Sequence, residues 1–414
     1  MERTTVCVVG GGPAGMVLGL LLARAGVEVT VLEKHADFLR DFRGDTVHPP
    51  TLDLLDDLGL GPAFDALPQS RVDKVLIPFR GGSVTVGDLT RLRGPRNYIA
   101  MVPQWDLLDL LANAAKAEPT FTLRMNTAAT ALTRAGDRVT GVEYRTKDGA
   151  IGTITADLTV ACDGRSSLLR AAAGLRPTDY PTPMDVWWYR LPKHDGDPSG
   201  IVGLIGDRRA AVMIDRRDYW QVATLIRKGS DAAARQTPVG TLMRDMAEAA
   251  PWLADRADAV SSWDDVKVLD VKLDRLRRWH TDGLLCIGDA AHAMSPVGGV
   301  GINLAVQDAV AAARLLAAPL KRGTLSTKDL AAVRRRRLIP TVTVQTFQRI
   351  AHAKALKPAL DGRVNIAQSV EPPAPLRLIA RIPWLNRLPV LLVGRGLFTE
   401  PTPAFARRAS TVRS

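Results

Sequence analysis

The feature that most constrains this chain is a cluster of glycines close to its start. Gly10-Gly11-Gly12-Pro13-Ala14-Gly15 has the spacing G-x-G-x-x-G and lies between an apolar run, Thr5 to Val9, and a helical pattern, Pro13 to Ala25. A second apolar run, Val27 to Leu32, follows Gly26, which supplies the helix stop. Continuous apolar strands on either side of a helix predict a βαβ unit in a parallel sheet covered on both faces. In such a unit Gly10 permits the tight turn, Gly12 lets the backbone approach a pyrophosphate, and Gly15 lets helix and strand pack closely. The helix amino terminus then faces the phosphates. Glu33 ends the second strand 21 residues after Gly12, where a carboxylate can accept hydrogen bonds from a ribose diol. These residues predict a dinucleotide site without separating FAD from NAD.

Further along, Pro49 or Pro50 to Leu58 reads as a second helix, and Pro103 to Ala117 as an amphipathic one with Leu107, Leu108, Leu111, Ala112 and Ala115 on its apolar stripe. Residues 71–99 read as short strands around Gly81-Gly82, and residues 121–162 as strands ending in Leu158 to Cys162. A short helix from Ser166 precedes a β-rich stretch, residues 183–228, with aromatic-rich strands at Val186 to Leu191 and Tyr219 to Ile226. Leu284 to Ile287 is another strand, Ile302 to Ala317 a long helix, and the remainder is mostly helical. At 414 residues the chain suits two interlocked domains.

The cysteines, Cys7, Cys162 and Cys286, are odd in number and sit in apolar runs, which argues against a disulfide framework and for small buried hydrophobes in a reducing compartment. No stretch reaches the roughly 18 apolar residues of a membrane span, and the amino terminus reads as a strand and not a signal peptide, so the expected location is cytoplasmic. The net charge of +12 is a carboxy-terminal property: residues 301–414 hold 19 Lys/Arg against 5 Asp/Glu, and the first 300 hold 36 against 38. Arg334 to Arg337, with Arg377, Arg381, Arg387 and Arg395 among apolar residues that include Trp384 and Phe398, read first as solvated helix faces and arginines lying over apolar surface. Peripheral contact with an anionic membrane is the alternative. Nucleic acid is not expected, because no binding module accompanies the charge.

Two further turns follow apolar strands. The first is Cys162-Asp163-Gly164-Arg165-Ser166-Ser167. The second runs Gly288-Asp289-Ala290-Ala291-His292-Ala293-Met294-Ser295-Pro296-Val297-Gly298-Gly299-Val300-Gly301-Ile302-Asn303 and enters the long helix, offering backbone N–H groups and a helix dipole to an acceptor. With Arg43-Gly44-Asp45 before the second helix and Pro103-Gln104 at the start of the third, these motifs in this order resemble the class A flavin monooxygenases with the para-hydroxybenzoate hydroxylase fold. The resemblance spans most of the chain.

It implies an α/β fold: a discontinuous Rossmann-like FAD-binding domain (1–70, 100–180 and 280–320), an interleaved β-rich substrate domain (71–99 and 181–279) and a helical basic carboxy-terminal region (321–414). It implies tightly but non-covalently bound FAD and NAD(P)H as a transient co-substrate docking without a second Rossmann unit. The implied reaction is hydroxylation by O2, through a flavin C4a-hydroperoxide, of an aromatic, polyketide or other hydrophobic small molecule. The alternatives are a flavin reductase of isoprenoid double bonds and a non-catalytic flavin-bound binding protein; a halogenase is disfavoured because Trp187-Trp188-Tyr189-Arg190-Leu191-Pro192 is not its Trp-x-Trp-x-Ile-Pro signature. By resemblance, Gly12, Pro13 and Ala14 meet the pyrophosphate on the turn that Gly10 and Gly15 shape, Glu33 meets the adenosine ribose with Lys34 beside it as a further cofactor-binding candidate, and Arg43 and Gln104 supply side-chain contacts to FAD. Asp163 and Gly164 correspond to a segment associated with both FAD and NAD(P)H, Asp289 to the ribityl–pyrophosphate aspartate, and Pro296, Gly299, Val300, Gly301, Ile302 and Asn303 to the loop beside the isoalloxazine. No catalytic side chain is identified; His292 reads as a structural turn residue, His48 is ambiguous, and no metal motif is present. Trp187, Trp188, Tyr189 and Trp220 read as strand core or as stacking surface for substrate.

Overall fold

The computed structural model describes residues 2–39, 46–79, 82–92, 94–198, 200–206, 209–256, 258–363, 371, 377 and 390–409. Its first strand, Glu2–Val9, is followed by the helix Pro13–Arg24 and the strand Val29–Leu32, whose mainly apolar residues from Val6 to Val9, Ala14 to Ala23 and Val29 to Leu32 are buried. The main sheet runs in the order His280–Thr281, Leu284–Cys286, Ile151–Ala161, Glu2–Val9, Val29–Leu32 and Phe121–Arg124, and the ladders from Leu284–Cys286 through Phe121–Arg124 are parallel. Thr127–Ala135 and Arg138–Thr146 form an antiparallel extension on the first half of Ile151–Ala161. Met16, Leu20, Val306, Ala309 and Val310, fully buried, belong to the core formed where the helices Pro13–Arg24 and Gly301–Arg322 pack together.

A second sheet of seven strands draws Lys74–Phe79 and Gly82–Asp88 from one part of the chain and Met184–Pro192, Ile201–Gly206, Arg209–Asp215, Tyr219–Arg227 and Lys267–Leu269 from another. One face carries the helix Gly240–Ala249, which the sequence reading did not anticipate; Leu242, Met243 and Met246 pack there with Trp187, Tyr189 and Trp220. A small third sheet, Thr46–Val47, Ile99–Met101 and Ser70–Val72, contributes Met101 and Val72 to a cluster with Leu89 and Ile214 of the second sheet's other side. The helix Thr327–Ala351 follows Gly301–Arg322 and runs directly into a π turn, His352–Leu356. Among the described residues, no helix is long and apolar enough to cross a membrane.

Candidate functional site

Four neighbouring strands of the main sheet end on one edge, and their continuations are Gly288-Asp289, Cys162-Asp163-Gly164, Gly10 to Gly15, and Glu33-Lys34. The motifs separated by hundreds of residues therefore meet at the carboxyl ends of parallel strands, where α/β sheets bind ligands. Gly10 has φ +107°, and a Cβ there would stand 2.3 Å from the Cys162 carbonyl oxygen; one on Gly15 would stand 2.0 Å from that of Gly10. Both glycines are required by backbone contact. Gly12 differs, since a Cβ there would meet nothing within 4 Å. It caps the helix Pro13–Arg24 without a side-chain hydrogen bond, so the first-turn N–H groups face an open cradle able to receive a phosphate. Ala14 adjoins the third motif: a Cβ on Gly288 would lie 3.3 Å from its Cβ.

Glu33 is buried, and its carboxylate holds the turn together by accepting the Gly11 N–H (2.8 Å) and the His35 N–H (3.0 Å). Lys34 beside it is exposed. One oxygen of Asp163 accepts the Leu169 N–H at 3.2 Å, and the other is buried without a partner among the described residues. Gly164 has open space where a side chain would be. Arg165 reaches Asp289 at 3.5 Å, linking the second motif to the third. Burial pushes the Asp289 carboxyl above the ordinary carboxylate range, with Arg165 and His292 opposing.

The loop after Asp289 is gripped from several sides. The Gly299 carbonyl accepts from Thr46 Oγ1 (2.6 Å) and is 3.0 Å from His48 Nε2, while Gln348 reaches Ser295 and Val297. Val300 caps the helix Gly301–Arg322 with no side-chain hydrogen bond, leaving a second helix amino terminus at this edge. Ile302 and Asn303 are buried, and the Asn303 side-chain Oδ1 accepts from Thr51 Oγ1 at 2.9 Å. Pro296 and Gln104, the latter at the first position of Gln104–Lys116, are half-buried. Arg43 lies outside the described residues, as do Arg381, Trp384 and Arg387. His292 turns inward: its Nε2 is 2.6 Å from Asp308 Oδ2 and its ring packs on Trp279 at 4.9 Å. No group of three or more His, Cys, Asp or Glu able to hold a metal occurs among the described residues.

Alternation along Met184–Pro192 sends Trp187 and Trp188 to opposite faces of the second sheet. Trp187 donates to Asp231 at 2.7 Å and Trp220 to Asp197 at 2.9 Å, both on the helix-covered side. Trp188 joins Met101, Ile99 and Ile214 instead, and its indole N–H is buried with no partner among the described residues. Several arginines of the basic carboxy-terminal region have carboxylate partners: Arg337, buried, pairs with Glu400 and with Asp308 at 3.0 Å, while Arg336 with Glu400, Arg395 with Asp53 and Arg377 with Glu371 are partly or largely exposed. Sequence reasoning missed Thr46, Gln345, Gln348 and His352; for the last three the available signal was polar residues spaced three and four apart along one helix and its π turn.

Residues 3–346 match the model of the FAD binding domain family. The chain is 37% identical over 415 residues to 6-methylpretetramide 4-monooxygenase of Streptomyces rimosus, covering 97% of each protein. Among solved structures it resembles pqsL, a probable FAD-dependent monooxygenase from Pseudomonas aeruginosa, with TM-score 0.73 and 20% identity over 87% of this chain and 99% of that one. The myxobacterial chondrochloren halogenase CndH shares the fold at TM-score 0.75 and 18% identity, over 95% of this chain and 89% of that one.

Proposed function

The chain belongs to the FAD binding domain family and is an FAD-dependent monooxygenase of the para-hydroxybenzoate hydroxylase fold, with NAD(P)H as its co-substrate, and from that premise we propose that it hydroxylates a polycyclic aromatic polyketide. The observation that carries the reading is the end-to-end likeness to 6-methylpretetramide 4-monooxygenase, which extends over the second sheet as well as the cofactor edge.

When bound, FAD would supply the redox chemistry by which two electrons from NAD(P)H and dioxygen yield one oxygen atom in the substrate and one in water. Everything else falls to the protein. In this reading the open backbone at Gly12, with Gly10, Pro13, Ala14 and Gly15, cradles the pyrophosphate, and Glu33 fixes that turn while offering its carboxylate to the ribose. Lys34, Arg43 and Gln104 complete the adenosine and side-chain contacts. Asp163, Gly164 and Asp289 hold the middle of the cofactor, and Pro296 and Gly299 to Asn303 border its ring. The face of the second sheet that bears Trp188 covers the reacting side and keeps water out. The division into a cofactor part (1–70, 100–180, 280–320), a substrate part (71–99, 181–279) and a helical tail (321–414) belongs to the same proposal.

The test is NAD(P)H oxidation under air with product mass measured across a panel of phenols, polyketides and quinone precursors. Addition of one oxygen atom to a polycyclic phenol, traced to labelled O2 and unchanged by EDTA, is the expected result. Turnover without oxygen, or oxygen transfer only to small phenols, overturns the substrate reading. Peripheral membrane contact through the basic tail stays the alternative for that region, since Arg381 and Arg387 lie outside the described residues.

A further inference from the structure

The helix Thr327–Ala351 carries an unusual stripe: Arg337, Thr341, Gln345 and Gln348, continued by His352, are polar and all buried. A helix facing the core would ordinarily present apolar residues there. Each of the last three holds backbone or side-chain atoms of the turn that leads into Gly301–Arg322. Gln345 Nε2 donates to the carbonyls of Asp274 (2.7 Å) and Ala293 (3.2 Å), and its oxygen accepts from Arg275 at 2.8 Å. Gln348 Nε2 donates to the carbonyls of Ser295 (2.8 Å) and Val297 (2.9 Å), and its oxygen accepts the Ser295 N–H at 3.2 Å. One turn on, His352 Nε2 stands 2.8 Å from Ser295 Oγ, which accepts the Val297 N–H at 3.3 Å. Thr46 and His48 hold Gly299 from the other side. The carbonyls of residues 293, 295, 297 and 299 are thus each captured by a side chain from elsewhere in the chain.

We propose that Gln348 is a positioning residue that fixes the Ser295–Gly299 turn against the flavin ring. The inference rests on the reading above that this turn borders the isoalloxazine. Two features point to position over bulk stability. All three bonds of a single amide go to the two residues flanking Pro296, which itself has no N–H to give. The helix also switches to a π turn where His352 must reach Ser295, and such turns are frequent at functional sites.

Two variants test it. Gln348→Met keeps the shape and removes every bond; Gln348→Glu keeps an acceptor for the Ser295 N–H and sets an oxygen against the two carbonyls. Thr346→Ala, on the exposed side of the same helix, is the control. Hydrogen exchange of the 293–301 peptide, the visible spectrum and two-electron potential of bound FAD, and peroxide released per NADPH consumed are measured on each holoprotein. Expected are exchange at least tenfold faster in both Gln348 variants and a displaced spectrum and potential, beside the lower thermal stability that buried carbonyls left without a donor impose. Faster exchange with an unchanged spectrum and potential overturns the inference, as does unchanged exchange. Should Gln348→Met not fold, Gln348→Glu decides by the same readouts. A wild-type protein that binds no FAD would instead refute the site reading beneath it, a separate outcome.

Discussion

Replacing Glu33 by glutamine separates the structural from the ligand-binding work of one carboxylate. At a buried position its two oxygens accept two backbone N–H groups, from Gly11 at 2.8 Å and His35 at 3.0 Å. Glutamine has one oxygen, so one of these donors must face an NH2 group. A hydrogen bond to a charged group contributes about 1.5–3 kcal/mol, and the stranded donor keeps its desolvation cost, so the substitution should cost the apo protein about 2 kcal/mol. That corresponds to a fall of roughly 2 °C in Tm, because the unfolding entropy of a 414-residue chain, at about 2.1 cal/mol/K per residue, makes each kcal/mol a small shift. Weakening a charged acceptor to the ribose by about 1.4 kcal/mol adds a tenfold loss in FAD affinity. Thermal unfolding of the apo protein reads the first effect, and titration of FAD followed by flavin fluorescence reads the second. A fall in Tm with wild-type Kd would refute the ribose contact and leave Glu33 as a brace for the turn. Wild-type values of both would refute the reasoning altogether.

Gly10→Ala should yield a protein without bound flavin or without a fold, because its Cβ would lie 2.3 Å from the Cys162 carbonyl oxygen at φ +107°; normal flavin absorbance in the purified variant would contradict this. Arg337→Met should lower stability by about 3 kcal/mol in chemical denaturation, the low end for breaking a buried ion pair, since Asp308 keeps His292 and Glu400 keeps Arg314 and Arg336. Burial holds the His352 imidazole below its ordinary value of 6.5. The unfolded chain therefore takes up that proton first, and the associated stability, full above pH 6.5, drains away as the pH falls toward the folded value. Stability of the wild type should decline in this window more steeply than that of His352→Gln, and parallel slopes would count against it.

The βαβ opening was legible in the sequence because its signals are local: apolar runs of strand length and glycines at fixed offsets. The strands Glu2–Val9 and Leu284–Cys286 and the helices Pro13–Arg24 and Gln104–Lys116 fall within a few residues of expectation; Gln104–Lys116 starts after Pro103 because that proline acts as the cap. What local pattern could not supply was adjacency. Nothing near Lys74 announces that its strand pairs with Ile201–Gly206, and nothing in four consecutive arginines says that Arg337 points inward to carboxylates at positions 308 and 400. The Gln345–Gln348–His352 stripe was missed for a related reason. Glutamine on a helix is ordinarily solvent-facing, and only its distant backbone partners make it a core residue.

The strand order also dictates when the binding edge can come into being. Thr159–Ala161 is flanked on one side only by Leu284–Cys286, a segment synthesised more than a hundred residues later. Until that strand arrives, a growing chain presents an open ladder of backbone donors and acceptors, the kind of edge that invites mispairing between chains. Once it docks, Asp289 and the following loop arrive with it and the cradle closes. FAD, which binds only the assembled edge, can therefore stabilise the chain by mass action only after that strand and the helices that follow it have docked.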